Sequence, residues 1–94
     1  MRITQVQLAS FVAIVEHGSV TSAARHLRYS PSSVSAHMSS LERGLGSQLV
    51  RRVGGAYVAT EAGQYVLRLS RQVLDGYGRL DDVRANGIPD GAGR

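Results

Sequence analysis

The chain has 94 residues, 43% of them hydrophobic, and a net charge of +4 in which all 11 basic residues are arginine. That length allows one domain, and a domain this small buries only about 60% of the surface its unfolded chain exposes, so it gains from a partner subunit. Cysteine is absent, which excludes disulfides and thiolate metal sites, and no apolar run approaches the ~20 residues of a membrane span. Met1-Arg2-Ile3-Thr4-Gln5 is not a secretory signal, so a cytoplasmic protein is expected. Between Ser19 and Gly63 five arginines stand against Glu42 and Glu61, a local +3 that suits a polyanion.

Thr4-Gln5-Val6-Gln7 fits a capping box, with Thr4 as N-cap and Gln7 reaching back. Leu8, Phe11, Val12 and Val15 then give the apolar stripe of a first helix, and His17-Gly18 ends it. Ser19 caps a short second helix from Val20 to about Leu27. Its Ala23-Ala24 pair is small enough for another helix to cross closely. Arg28-Tyr29 forms a tight connection to Ser30, and together these pieces predict a helix-turn-helix. A generic αα-hairpin is the competing reading at this point.

The next segment, from Ser30 to Gly46, organises the chain. Ser30 is the expected N-cap, Pro31 falls at the first helical position, and Gly46 sits where a left-handed C-cap belongs. Val34, Met38, Leu41 and Leu45 form the core stripe. The remaining surface carries Ser32, Ser33, Ser35, Ala36, His37, Ser39, Ser40 and Arg43, with Glu42 the single acid. Such short side chains let a helix lie close against a large surface, and the DNA major groove admits a helix. A serine-rich surface helix without a partner is the bland alternative. The candidate DNA-binding set is Ser30, Pro31, Ser32, Ser33, Ser35, Ala36, Ser39 and Arg43.

Ser47 to Val53 reads as extended, Gly54-Gly55 as a turn with free φ, and Ala56 to Ala59 as the returning strand. A hairpin after a helix-turn-helix is a wing, and its Arg51 and Arg52 are candidates for phosphate or the minor groove. Solvated arginines on a structural hairpin, or an Arg52 pair with Glu42 or Glu61, are the alternatives. Thr60 caps a last helix from Glu61 to about Arg84. Val66, Val73, Tyr77 and Leu80 form a seam of coiled-coil type, widened by Leu67 and Leu74 and interrupted by Ser70, which predicts a dimer helix. Gly76 and Gly78 each weaken that helix by roughly 1 kcal/mol relative to alanine, so its second half is expected to fray or bend. The expected organisation is a DNA-binding domain over 1–60, a linker and dimerisation helix over 61–85, and a flexible tail over 86–94.

From about Thr4 to Leu80 the chain resembles the N-terminal domain of LysR-type transcriptional regulators. The resemblance is carried by Phe11, Gly18-Ser19, Thr21, Ala23-Ala24, Leu27, Ser30, Val34-Ser35, Leu41-Glu42, Leu45-Gly46, Leu49, Arg52, Gly54 and Thr60-Glu61-Ala62-Gly63, in order and at matching spacing. It implies a mainly α fold: a winged helix-turn-helix with a three-helix core and a small β-hairpin wing, followed by a long dimerisation helix. It also implies binding to double-stranded DNA as a homodimer and control of transcription. The departures are as informative. Pro31 stands where the family usually has glutamine, Ala36 where arginine is common, Val50 where phenylalanine often follows leucine, and Gly55 where a basic residue is frequent. The effector-binding lobes of the family have no counterpart here, so no small-molecule effector domain is predicted, and the chain is read as a fragment or a naturally short protein.

Catalytic chemistry is not predicted. His17, His26 and His37 fall on separate elements without metal-ligand spacing, and no serine sits in a nucleophile elbow. No metal or cofactor is expected. The competing function is a short interaction protein that pairs with a full-length relative and weakens that relative's DNA binding.

Overall fold

The computed structural model describes residues 2–91. Four helices and one hairpin follow in order: α1 (Gln5–His17), α2 (Val20–Leu27), α3 (Pro31–Leu45), β1 (Val50–Val53), β2 (Ala56–Ala59) and α4 (Glu61–Asn86). The helix ends are set by local hydrogen bonds. Thr4 and Gln7 form the reciprocal capping box of α1. Ser19, Ser30 and Thr60 cap α2, α3 and α4 by accepting from the backbone N–H three residues on. Pro31 occupies the first turn of α3, where its missing N–H has no partner to lose.

Helix α1 is the centre of the domain and packs against α2, α3 and α4. Its stripe is wider than the sequence spacing suggested, because Ser10, Ala13 and Ile14 are buried along with Leu8, Phe11 and Val12. Phe11 and Ile14 meet Ala23 and Ala24 of α2, Val34, Met38 and Leu41 of α3, and Leu49 and Val50 in one core. Full burial of a side chain such as Phe11 is worth ~1.5–3 kcal/mol, which makes this cluster the main stabilising term. The alanine pair is fully enclosed, as the helix crossing requires.

The strands pair antiparallel, with Val50 opposite Ala59 and Arg52 opposite Tyr57. Gly54 and Gly55 both have positive φ, the requirement of the tight hairpin turn. The first strand is shorter than expected: Ser47, Gln48 and Leu49 lie outside it. The reason is Glu42, whose Oε2 accepts from the backbone N–H groups of Leu49 at 2.6 Å and Val50 at 3.3 Å. That carboxylate fixes the path from α3 into the wing. The N–H of Tyr57 donates to the Gly18 carbonyl at 2.8 Å and ties the wing to the α1–α2 turn.

Helix α4 is continuous through Gly76 and Gly78 to Asn86, so the expected fraying is not seen. Val66, Leu67 and Leu74 pack on the core, and Ser70 is buried with them. Ser70 therefore belongs to the core face and donates its hydroxyl to the Val66 carbonyl at 2.7 Å. Beyond Leu74 the helix leaves the body, giving a molecule 49 Å long and 25 Å across. Of the expected tail 86–94, Asn86 ends α4, 88–91 form no helix or strand, and 92–94 lie outside the described residues.

Candidate nucleic-acid interface

Helix α3 turns Val34, Met38 and Leu41 inward and presents a different chemistry outward. Pro31, Ser32, Ser35, Ala36, Ser39 and Arg43 are all exposed. Ser30 and Ser33 differ in kind. The Ser30 hydroxyl accepts from the Ser33 backbone N–H at 3.1 Å and lies 2.9 Å from the Ser33 hydroxyl and 3.1 Å from that of Ser32. The pair Ser30–Ser33 is thus occupied in holding the helix start, while Ser35 and Ser39 make no such bond among the described residues. His37 sits on the flank of this face, half-buried, bonded through Nδ1 to the Ser10 hydroxyl at 2.9 Å. At the far end the Arg43 guanidinium reaches the Ser40 hydroxyl at 3.4 Å.

The wing stands beside this helix. A cleft of about 260 Å³ runs between them, with Ser35 and Ser39 on the helix side, Gln48, Val50 and Tyr57 on the wing side, and Met38 among its floor residues. Arg51 and Arg52 are exposed on β1. Arg52 pairs with neither Glu42 nor Glu61. Its guanidinium lies over the ring of Tyr57, the residue directly opposite, at 4.8 Å. Among the described residues this guanidinium makes no ion pair. The ion pairs among the described residues are Arg71–Glu16, Arg79–Asp75 and Arg84–Asp81, all involving α4. None uses Arg25, Arg28, Arg43, Arg51 or Arg52. The Glu42 carboxylate accepts from backbone N–H groups and forms an ion pair with none of these arginines, so the segment from Ser19 to Gly63 keeps a surplus of positive charge, five arginines against Glu42 and Glu61.

This geometry, a capped helix with a short polar face beside a basic hairpin, matches a known family. The family model for bacterial regulatory helix-turn-helix proteins of the lysR family matches residues 6–64. The chain belongs to this family. Among its LysR relatives, the RuBisCO operon transcriptional regulator of Allochromatium vinosum is 35% identical over 83 residues, covering 88% of this chain and 28% of that protein. OxyR of Corynebacterium glutamicum, in its oxidised form, superposes with a TM-score of 0.86 at 32% identity over 92% of this chain and 26% of that one. The DNA-binding domain of CbnR, solved in complex with DNA, superposes with a TM-score of 0.78 at 32% identity, covering 90% of this chain and 99% of that domain. The chain spans less than a third of the length of the curated LysR relatives it matches. The winged helix-turn-helix fold with a long C-terminal helix expected from the sequence is the fold of these LysR domains.

A second surface lies on α4. Val73, Tyr77 and Leu80, three of the four seam residues, are exposed, and Tyr65 and Leu69 extend the stripe toward the body. Val66 is half-buried and lines an apolar groove with Ile3, Leu8, Leu45, Tyr65, Leu69 and Val73. Tyr65 and Leu69 were not singled out from the sequence, although Tyr65, Leu69 and Val73 follow one another at a spacing of four, which carries the signal. The histidines bring one surprise. His17 and His26 are on different helices but their rings meet at 4.7 Å. Among the described residues no group of three His, Cys, Asp or Glu is placed to hold a metal.

Proposed function

We propose that this chain is the DNA-binding part of a LysR-type transcriptional regulator and reads double-stranded DNA as a homodimer. The observation that carries the proposal is the exposed short polar face of α3 beside a wing whose arginines have no acidic partner among the described residues. Pro31, Ser32, Ser35, Ala36 and Ser39 enter the major groove, because helices of this motif present their N-terminal residues to base edges. Serine bonds several bases and Ala36 offers a methyl to thymine, so these contacts discriminate less than a bidentate arginine would. Ser30 and Ser33 act by holding the helix start. Arg43, Arg51 and Arg52 contact phosphates and supply much of the affinity. The body over 1–60 binds DNA. The helix over 61–85 pairs with a second copy through Val66, Val73, Tyr77 and Leu80, since Tyr65, Leu69, Val73, Tyr77 and Leu80 form a stripe of large apolar side chains left exposed by the described residues. The chain catalyses no reaction and works in the cytoplasm, where bacterial DNA lies; no described helix is long and apolar enough to cross a membrane.

Pro31 and Ala36, in place of the glutamine and arginine common in the family, favour a second reading: a partner chain that pairs with a full-length relative and weakens its grip on DNA. Titration of labelled duplex over a salt series separates the two. Under the first reading the chain binds with a steep salt dependence, and Arg52→Ala lowers the slope of log K against log salt by about one unit on all sequences alike. A chain that binds no duplex alone, yet lowers the DNA affinity of a full-length relative on mixing, establishes the second reading.

A further inference from the structure

Two serines are buried in this domain, and they are satisfied in different ways. Ser70 turns its hydroxyl back onto its own helix, to the Val66 carbonyl at 2.7 Å, as serines inside helices commonly do. Ser10 is equally buried and had the same option on α1. Its hydroxyl instead meets Nδ1 of His37, on α3, at 2.9 Å. That imidazole is also met by Tyr29 of the α2–α3 turn, edge to face, with ring centroids 5.4 Å apart at 80°. One side chain of α3 is therefore fixed by both α1 and the turn.

This contact differs from the rest of the α1–α3 packing. Val34, Met38 and Leu41 are held by apolar burial, which has no direction and tolerates a small roll of the helix about its axis. The Ser10–His37 bond is directional, and among the described residues it is the one hydrogen bond joining α1 to α3. Roll matters here because the side chains proposed to read bases are short. A serine or alanine has no flexible arm to compensate for a misplaced helix, so productive contact depends on where the backbone is held.

We infer that Ser10 and His37, backed by Tyr29, are positioning residues that set the roll of α3 and thereby determine its sequence preference. The inference rests on the reading of α3 as the helix that enters the groove. The neutral substitution His37→Asn keeps a polar atom near the place of Nδ1, while His37→Leu and Ser10→Ala remove the bond.

The test uses the whole chain. Selection from a pool of random duplexes by the wild-type protein defines a preferred sequence. Each variant is then titrated with that duplex and a scrambled one, alongside thermal unfolding. Ser10→Ala and His37→Leu should each reduce the preferred-to-scrambled affinity ratio about fivefold, the equilibrium equivalent of one neutral hydrogen bond. Affinity for the scrambled duplex and its salt slope should stay unchanged. His37→Asn should restore most of the ratio, and the Ser10→Ala/His37→Leu double variant should be no worse than either single one. An unchanged ratio in folded Ser10→Ala and His37→Leu would overturn the inference. So would an equal loss on both duplexes that tracks melting temperature, which is the mark of a merely structural bond. Failure of the wild-type chain to enrich any sequence would overturn the groove reading itself, and this inference with it.

Discussion

Replacing Gly63 by alanine adds one methyl group where, among the described glycines, a Cβ would meet the closest neighbour. Thr60 brings the first turn of α4 onto the chain entering β1: its N–H donates to the Leu49 carbonyl at 3.0 Å and its hydroxyl to the Gln48 carbonyl at 2.7 Å. A Cβ at Gly63 would overlap the Leu49 carbonyl oxygen, lie 2.9 Å from its carbon and crowd Ala59 Cβ at 3.3 Å. The two nearest obstacles are backbone atoms of the fully buried Leu49, and an alanine Cβ has no rotamer to change, so no side-chain rotation relieves them. Overpacking of this kind costs ~1–3 kcal/mol, and loosening a Thr60 hydrogen bond adds about 1. Alanine's better helix propensity returns about 1. The net loss of roughly 1–3 kcal/mol should lower Tm by ~5–20 °C for a domain of this size. Circular dichroism melting at fixed protein concentration measures it. Gly78→Ala is the control, because a Cβ there meets nothing within 4 Å, and it should raise Tm by a few degrees. A Gly63→Ala variant as stable as the wild type would refute the claim that α4 is seated on the wing through backbone contact at this glycine.

Three further outcomes follow from the same geometry. Arg28 caps α2 with φ of 63°, a left-handed conformation in a residue other than glycine, so Arg28→Gly should stabilise by up to ~1 kcal/mol in urea unfolding. Val73→Asp or Leu80→Asp should shift the sedimentation mass at micromolar concentration toward monomer, and an unchanged mass would place the pairing surface elsewhere. Pro31→Gln should leave Tm nearly unchanged while altering DNA affinity or sequence preference in titration, because Pro31 occupies a position where the helix needs no N–H; a large loss of Tm with no change in binding would make Pro31 a stability device.

The helix-turn-helix and its wing were legible because their punctuation is local. Thr4 with Gln7, Ser30 with Pro31, Thr60 and Gly46 each declare an end through contacts within a few residues. What could not be read depends on contacts between distant segments. Glu42 is one of only seven acids in the chain and reads as surface charge, yet its carboxylate sets where β1 begins by accepting from Leu49 and Val50. Ser70 reads as a break in an apolar seam, but it closes on its own helix and packs into the core. Gly63 looked like part of a family pattern, and its cause is visible only when the Leu49 carbonyl is placed against it. In the candidate interface, the serines and arginines are proposed on residue type and spacing. The tie between Ser10 and His37, 27 residues apart, and the cation–π contact of Arg52 with Tyr57 required the fold.

The most direct test of the central claim is a fluorescence-anisotropy titration of duplex DNA with Ser39→Glu at moderate salt. Ser39 is exposed at the centre of the α3 face, beside the cleft to the wing, and glutamate is a good helix former, so the fold should survive. A carboxylate there would lie among the phosphates of the groove and should lower affinity for every duplex by at least an order of magnitude. Gln72→Glu, on the exposed side of α4, adds the same charge away from that face and should bind nearly as the wild type does. Equal affinity of Ser39→Glu and the wild type would contradict the assignment of α3 as the DNA-reading helix.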